Sequence, residues 1–261
     1  MHALLAAINC PKGPIEANLA DHLAVLDTAE PGDLVLFPEM SLTGSVDPAA
    51  DPDRLVPLDH PSVQALAQAA TSGVTICFGI AERGPDDRPY ITQVVAAEGT
   101  MTGLQRKRHL GEGEDAFTAA TTTAMFTHAG VGFGIAICAE AAHDGPFDAV
   151  AAAGERLVLF PAAPGLYGRR TDETSWRSGF AWWEGSSLGD ASRHARRLGL
   201  WIAQAGQAGT TDDEDFPGLA ALTEPSGRVV ARLPDWRAGV LAVDVPLVPL
   251  GQRAADGGAD D

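Results

Sequence analysis

Three segments of the chain end an apolar run on a side chain capable of covalent or acid-base chemistry. In LVLFPEMSLTG, residues 34–44, the run delivers Glu39. A carboxylate at a strand end can sit in a desolvated cleft, where its raised pKa suits a general base near neutrality. In LQRKRHLGEGEDAF, residues 104–117, a strand ends in Arg106, Lys107, Arg108 and His109, followed by Glu112, Glu114 and Asp115. Strand alternation sends Lys107 to one face with Gln105 and His109, away from Arg106 and Arg108. In VGFGIAICAE, residues 131–140, mainly apolar residues lead to Cys138. A thiol there can be a nucleophile if it is partly accessible and close to a positive charge, whereas Cys10 and Cys77 read as inert core thiols.

The elements that must hold these residues alternate short apolar strands with Ala-rich segments of helical period, an α/β pattern. The expected order is a strand at 3–9, a helix at 16–29 with Leu19, Leu23 and Leu26 on one face, and the strand leading to Glu39. A helix in SVQALAQAA and a strand in VTICFGIAE follow, then a hairpin through Glu98-Gly99. Strands pairing without an intervening helix make the sheet mixed, which argues against a dinucleotide-binding fold. Beyond the charged loop come the strand to Cys138, a short helix in PFDAVAAAG, the buried strand RLVLFPAA and a helix at 186–198. The strand LWIAQAG and a hairpin turning at Pro225-Ser226-Gly227 complete the pattern. We read residues 1–250 as one domain and 251–261 as a polar, disordered tail.

Composition narrows the function. The 18 Lys and Arg against 35 Asp and Glu give a formal charge of -17, which repels nucleic-acid phosphates and anionic membranes. Three widely spaced cysteines make neither a disulfide framework nor a metal or redox motif, and they fit a reducing cytoplasm. No apolar stretch reaches the roughly 20 residues needed to span a bilayer.

Taken together, the three segments resemble the nitrilase or carbon-nitrogen hydrolase superfamily, in which a glutamate, a lysine and a cysteine follow in this order at strand ends. The resemblance rests on FPE-x-x-x-TG around Glu39, RKRHL around Lys107, G-x-x-IC around Cys138, LVLFPAA at 157–163 and PSG-x-VVA near the C-terminus. It implies a four-layer α-β-β-α sandwich with two mixed sheets, a homodimer or larger homo-oligomer, and no metal or organic cofactor. It further implies hydrolysis of a non-peptide C–N bond of a small amide through a cysteine thioester, with nitrile or N-carbamoyl substrates, acyl transfer, or a noncatalytic binding role as alternatives. Glu39 would be the base, and Lys107 with the backbone N–H of Ala139 would stabilise the oxyanion. A second glutamate should orient the lysine; spacing favours Glu114, with Glu112 and Asp115 left open.

After the cysteine this chain reads CAEAAHDGPFDAVAAAG and departs from common family patterns. Glu140 and His143 join Ala139 as candidates near the oxyanion and substrate, but Glu140 reads first as a structural hydrogen-bond acceptor, and His143 with Asp144 reads first as an exposed loop pair. The aromatic stretch at 165–187, with Trp176, Trp182 and Trp183, reads as a long connection serving packing, a subunit interface or a pocket wall.

Overall fold

The computed structural model describes residues 1–71, 73–233 and 237–247. The expected tail and the domain boundary at 250 lie outside them. The first half of the chain builds one sheet: β1 (His2–Ala7), α1 (Ile15–Leu26), β2 (Asp33–Leu36), α2 (Pro61–Ala69), β3 (Thr75–Arg83), β4 (Pro89–Ala97) and β5 (Thr100–Arg106). The second half builds another: β6 (Met125–His128), β7 (Val131–Ile135), α3 (Gly145–Ala152), β8 (Leu157–Ala162), α4 (Glu173–Leu198) and β9 (Trp201–Gly206). A ribbon of β10 (Ala208–Thr210) and β11 (Asp215–Pro217) follows, then the hairpin of β12 (Ala220–Thr223) and β13 (Val229–Arg232). Finally β14 (Gly239–Asp244) returns to the edge of the first sheet.

The two six-stranded sheets have orders β14-β1-β2-β3-β4-β5 and β13-β12-β9-β8-β7-β6. Both are mixed: β1, β2 and β3 run parallel, as do β7, β8 and β9, with antiparallel strands outside them. Side-chain alternation explains the layering. Leu5, Leu34, Leu36 and Cys77 pack with Phe133, Ile135, Leu157 and Leu159 between the sheets. The intervening Leu4, Val35, Ile76 and Phe78 face the α1–α2 side, and Val158, Phe160 and Ile202 face α3 and α4. Hence the central parallel strands are mostly apolar on both faces, and the result is the four-layer α-β-β-α sandwich. Among the described residues no helix is long and apolar enough to cross a membrane.

The largest departure from the sequence reading is α4. The expected helix at 186–198 extends back to Glu173, so the aromatic stretch is mostly helix rather than connection. Asp172 starts it by accepting from Ser175 N at 2.9 Å, a reciprocal cap, while Gly179, Gly185 and Gly189 weaken the helical signal along its length. Strands β6, β10, β11 and β14 are additional to those expected; most are three or four residues long, too short for a periodic signal.

Candidate active site

Each reactive side chain leaves its strand just past the last paired residue. Phe37 N still bonds Cys77 O at 2.8 Å, and then Pro38 and Glu39 turn away over β3. Met40 takes a positive φ of 47°, and Ser41 Oγ accepts from Gly79 N at 3.1 Å. That loop sits so close that a Cβ on Gly79 would lie 2.2 Å from Met40 N, so only glycine fits there. Lys107 follows β5 directly, its N–H on Ile91 O at 2.8 Å. Its side chain points inward and is fully buried, while Arg106 reaches Glu82 and Arg108 reaches Glu140. Alternation therefore separates the three basic neighbours as their spacing suggested.

Cys138 opens a short 3₁₀ turn, Cys138–Ala142, beyond β7, with φ at 44°. This left-handed conformation is costly for a residue with a Cβ and persists only where its surroundings impose it. Glu140 supplies that constraint. Its Oε2 accepts from Ile137 N at 2.8 Å, and its Oε1 accepts from Arg108 N and Nε at 2.7 and 2.9 Å. Through one buried ion pair, the residue after Lys107 is tied to the turn that presents Cys138.

The acids and the lysine form one chain of contacts. Lys107 Nζ donates to Glu39 Oε1 at 2.7 Å and to Glu114 Oε1 at 2.6 Å. Glu114 Oε2 accepts from Gly111 N at 2.6 Å, and Glu39 Oε2 accepts from Ala163 N at 3.0 Å. Glu114 is thus the carboxylate on the lysine, while Glu112 and Asp115 are exposed. Ala163 was not singled out from the sequence; its only signal was its place at the end of LVLFPAA.

Burial drives the electrostatics. It pushes Glu39 above the ordinary carboxylate range, opposed by the neighbouring Lys107. It likewise raises the Cys138 thiol well above its usual value, helped by the Glu39 charge and opposed by Lys107. For Lys107 burial acts to lower the pKa, but Glu39, with Cys138 and Glu114, outweighs it and keeps the ammonium charged. Two acids share one permanent cation, next to a thiol that holds its proton at rest. Such a set can pass one proton between sulfur and carboxylate while the lysine charge stays fixed.

A cavity of about 450 Å³ opens in front of Cys138. Cys138, Ala139, Glu114, Glu112, Trp182 and Trp183 line it. Glu39 and Lys107, almost fully buried, are not among its lining residues. Glu140 and His143 are not among them either, so neither stands where the substrate-contact alternative needs it. Glu140 is consumed by Arg108 and the turn, and the His143 ring stacks on His109 at 4.1 Å. Among the described residues no group of three or more His, Cys, Asp or Glu side chains is arranged to hold a metal ion.

Comparison with known proteins places the fold and the family. Residues 4–255 match the carbon-nitrogen hydrolase family profile. A glutamine-dependent NAD(+) synthetase of Rhodobacter capsulatus is 24% identical over 92% of this chain, which spans 43% of that protein's length. The glutamine-dependent NAD+ synthetase of Acinetobacter baumannii superposes with a TM-score of 0.75 at 20% identity, covering 92% of this chain and 44% of its own. The amidase of Nesterenkonia sp. AN1, in a form carrying acrylamide on its active-site cysteine, gives a TM-score of 0.78 at 22% identity, covering 94% and 93%. The match spans nearly the whole sequence, and the chain belongs to the carbon-nitrogen hydrolase family.

Proposed function

We infer that the protein hydrolyses the C–N bond of a small amide through a thioester on Cys138. The observation that carries this reading is the contact chain Glu114–Lys107–Glu39 beside a partly exposed cysteine at a cavity wall. Because burial keeps the thiol protonated, attack requires a base, and Glu39 is the carboxylate that feels the thiol directly. Glu39 takes the thiol proton as sulfur bonds to the carbonyl carbon. Lys107 and the Ala139 N–H stabilise the oxyanion, a contribution of roughly 3 kcal/mol per well-aimed donor. The C–N bond then breaks, the leaving nitrogen departs as ammonia with the proton from Glu39, and a thioester remains. Water, deprotonated by Glu39, attacks the thioester; the acid leaves and the thiol regains its proton.

The likeness to glutamine-dependent NAD+ synthetases favours including glutamine among the candidate donor amides. A panel of aliphatic amides, nitriles, N-carbamoyl compounds and glutamine separates the readings by ammonia release and by the acid formed. Amide hydrolysis predicts equal amounts of ammonia and acid, and a mass increase on Cys138 trapped during turnover. Wild-type rates in Cys138→Ala would overturn the nucleophile assignment.

A further inference from the structure

The cavity carries a charge imbalance that the hydrolytic steps do not use. Five carboxylates line it: Asp47, Glu112, Glu114, Asp190 and Glu214. Glu114 is paired with Lys107 and Asp190 with Arg193 at 3.2 Å. The other three take neutral donors instead. Asp47 accepts from Ala49 N at 2.9 Å, Glu112 from the Tyr167 hydroxyl at 3.3 Å, and Glu214 from Tyr167 N at 3.0 Å. Lys12 also lines the cavity, but its ammonium is bonded to Asp213 at 2.6 Å.

Glu214 stands near the reacting centre rather than on an open surface. It is half-buried, and its carboxylate lies so close to the main chain that a Cβ on Gly165 would fall 1.9 Å from Oε1. Gly165 is two residues beyond Ala163, whose N–H holds Glu39. Burial raises the Glu214 pKa, and the nearby Lys12 does not offset it. Tyr167 links the groups: burial raises its phenol, and the charges of Glu112, Glu214 and Cys138 add to that rise.

A second observation shows that the cavity is built for an occupant. Trp183 and Ser187, one turn apart on α4, both line it and are only 6% and 1% exposed. The indole Nε1 and the hydroxyl Oγ have no hydrogen-bond partner in the protein. Buried polar atoms left unpaired cost stability, and a ligand that pairs them removes that cost. The indole N–H needs an acceptor, whereas the Ser187 oxygen can accept from a cationic donor. Tyr167 and Trp182, large and exposed at the same cavity, add aromatic faces that attract a cation.

We propose that this cavity selects amides whose acyl chain carries an ammonium group, with Glu214 and Glu112 as counter-charges, Tyr167 and Trp182 as aromatic walls, and Ser187 as an acceptor. The proposal rests on the amide-hydrolase reading and names its substrate class. An anionic tail would meet three carboxylates that hold no ion pair, the nearby Lys12 being bonded to Asp213, and a neutral tail would leave them unused. The overall charge of -17 adds long-range attraction for a cationic substrate.

The test compares δ-aminovaleramide, hexanamide and adipate monoamide, chains of similar length ending in ammonium, methyl and carboxylate. We expect kcat/KM to be about tenfold higher for the ammonium amide than for hexanamide, lowest for the anion, with the preference shrinking in high salt. In Glu214→Gln, which keeps an acceptor for Tyr167 N, the ammonium-to-methyl ratio should fall about tenfold, through KM. Calorimetric titration of Cys138→Ala with the same three amides reads selection without turnover. Equal turnover and equal binding of the ammonium and methyl amides would overturn the proposal and leave amide hydrolysis standing. Preferential binding of the ammonium amide with no ammonia released from any amide would support the cation subsite and defeat hydrolysis.

Discussion

Two buried acid-base clusters lie side by side, and they differ in how completely their charges are satisfied. At Arg108–Glu140 one cation meets one anion. Both carboxylate oxygens are occupied, by Arg108 N, Nε and Nη2 and by Ile137 N, and Glu140 has no exposure. At Lys107 one cation meets two anions, and Glu39 has further capacity that it spends on the Cys138 thiol. The clusters are joined by adjacent residues, Lys107 to Arg108 and Cys138 through Ala139 to Glu140. A saturated pair fixes geometry, whereas an unbalanced one beside a cavity retains a proton-accepting site. Burial alone therefore does not mark the reactive group; spare hydrogen-bonding capacity does.

The sharpest way to break this comparison is to remove the spare capacity. Glu39→Gln keeps the shape but cannot accept the thiol proton. We expect turnover to fall by about 10²- to 10⁴-fold. Cys138→Ala should abolish thioester formation altogether. The pH profile gives the sign independently: Glu39 must be ionised to act, and burial raises its pKa, so the rate should fall as pH drops through a value above the ordinary carboxylate range. An acid limb at the ordinary carboxylate position, or a Glu39→Gln enzyme of wild-type rate, would assign the base elsewhere.

Much of this difference was legible in the sequence because it depends on strand alternation and strand ends. The period of two put Lys107 opposite Arg106 and Arg108, and the apolar runs placed Glu39 and Cys138 at their ends. Long-range pairing was not legible. Nothing local says that Arg108 will meet Glu140, 32 residues away, so the acceptor role read for Glu140 came without its donor and left a substrate contact open. The stacking of His143 on His109, which lies on another loop, is a contact of the same kind that no local pattern announces. The cavity wall was obscured by composition: three glycines dilute the helical pattern of α4, and Trp183 and Ser187 align on one face only once the helix starts at Glu173.

Removing the cation probes stability as well as chemistry. Lys107→Met leaves Glu39 and Glu114 close together without their shared counter-charge, in a site from which water is largely excluded. Breaking a buried pair in this way costs about 3–5 kcal/mol. We expect a lower denaturation midpoint together with loss of turnover. Partial recovery of stability on lowering the pH should follow, because protonating a carboxylate relieves the repulsion. A Lys107→Met protein as stable as wild type would mean that the carboxylates already share a proton, and the cluster would then be less unbalanced than the comparison requires.

The smallest effect should come from the saturated pair. Glu140→Gln retains the shape and one acceptor oxygen, which can keep Arg108 N and Nε, but its amide NH2 would face the N–H donors of Ile137 and Arg108 Nη2, a loss of roughly 1–3 kcal/mol in stability. Since Glu140 neither lines the cavity nor contacts the thiol, the acid limb of the rate profile should stay where Glu39 puts it while kcat declines modestly. Glu140→Ala would release the Ile137 N–H and leave Arg108 without its counter-charge, and the left-handed Cys138 would lose its support. Thiol alkylation should therefore change more in Glu140→Ala than in Glu140→Gln, a contrast that depends on the turn rather than on proton transfer. A shifted acid limb in Glu140→Gln would instead couple the two clusters electrostatically and erase the distinction between them.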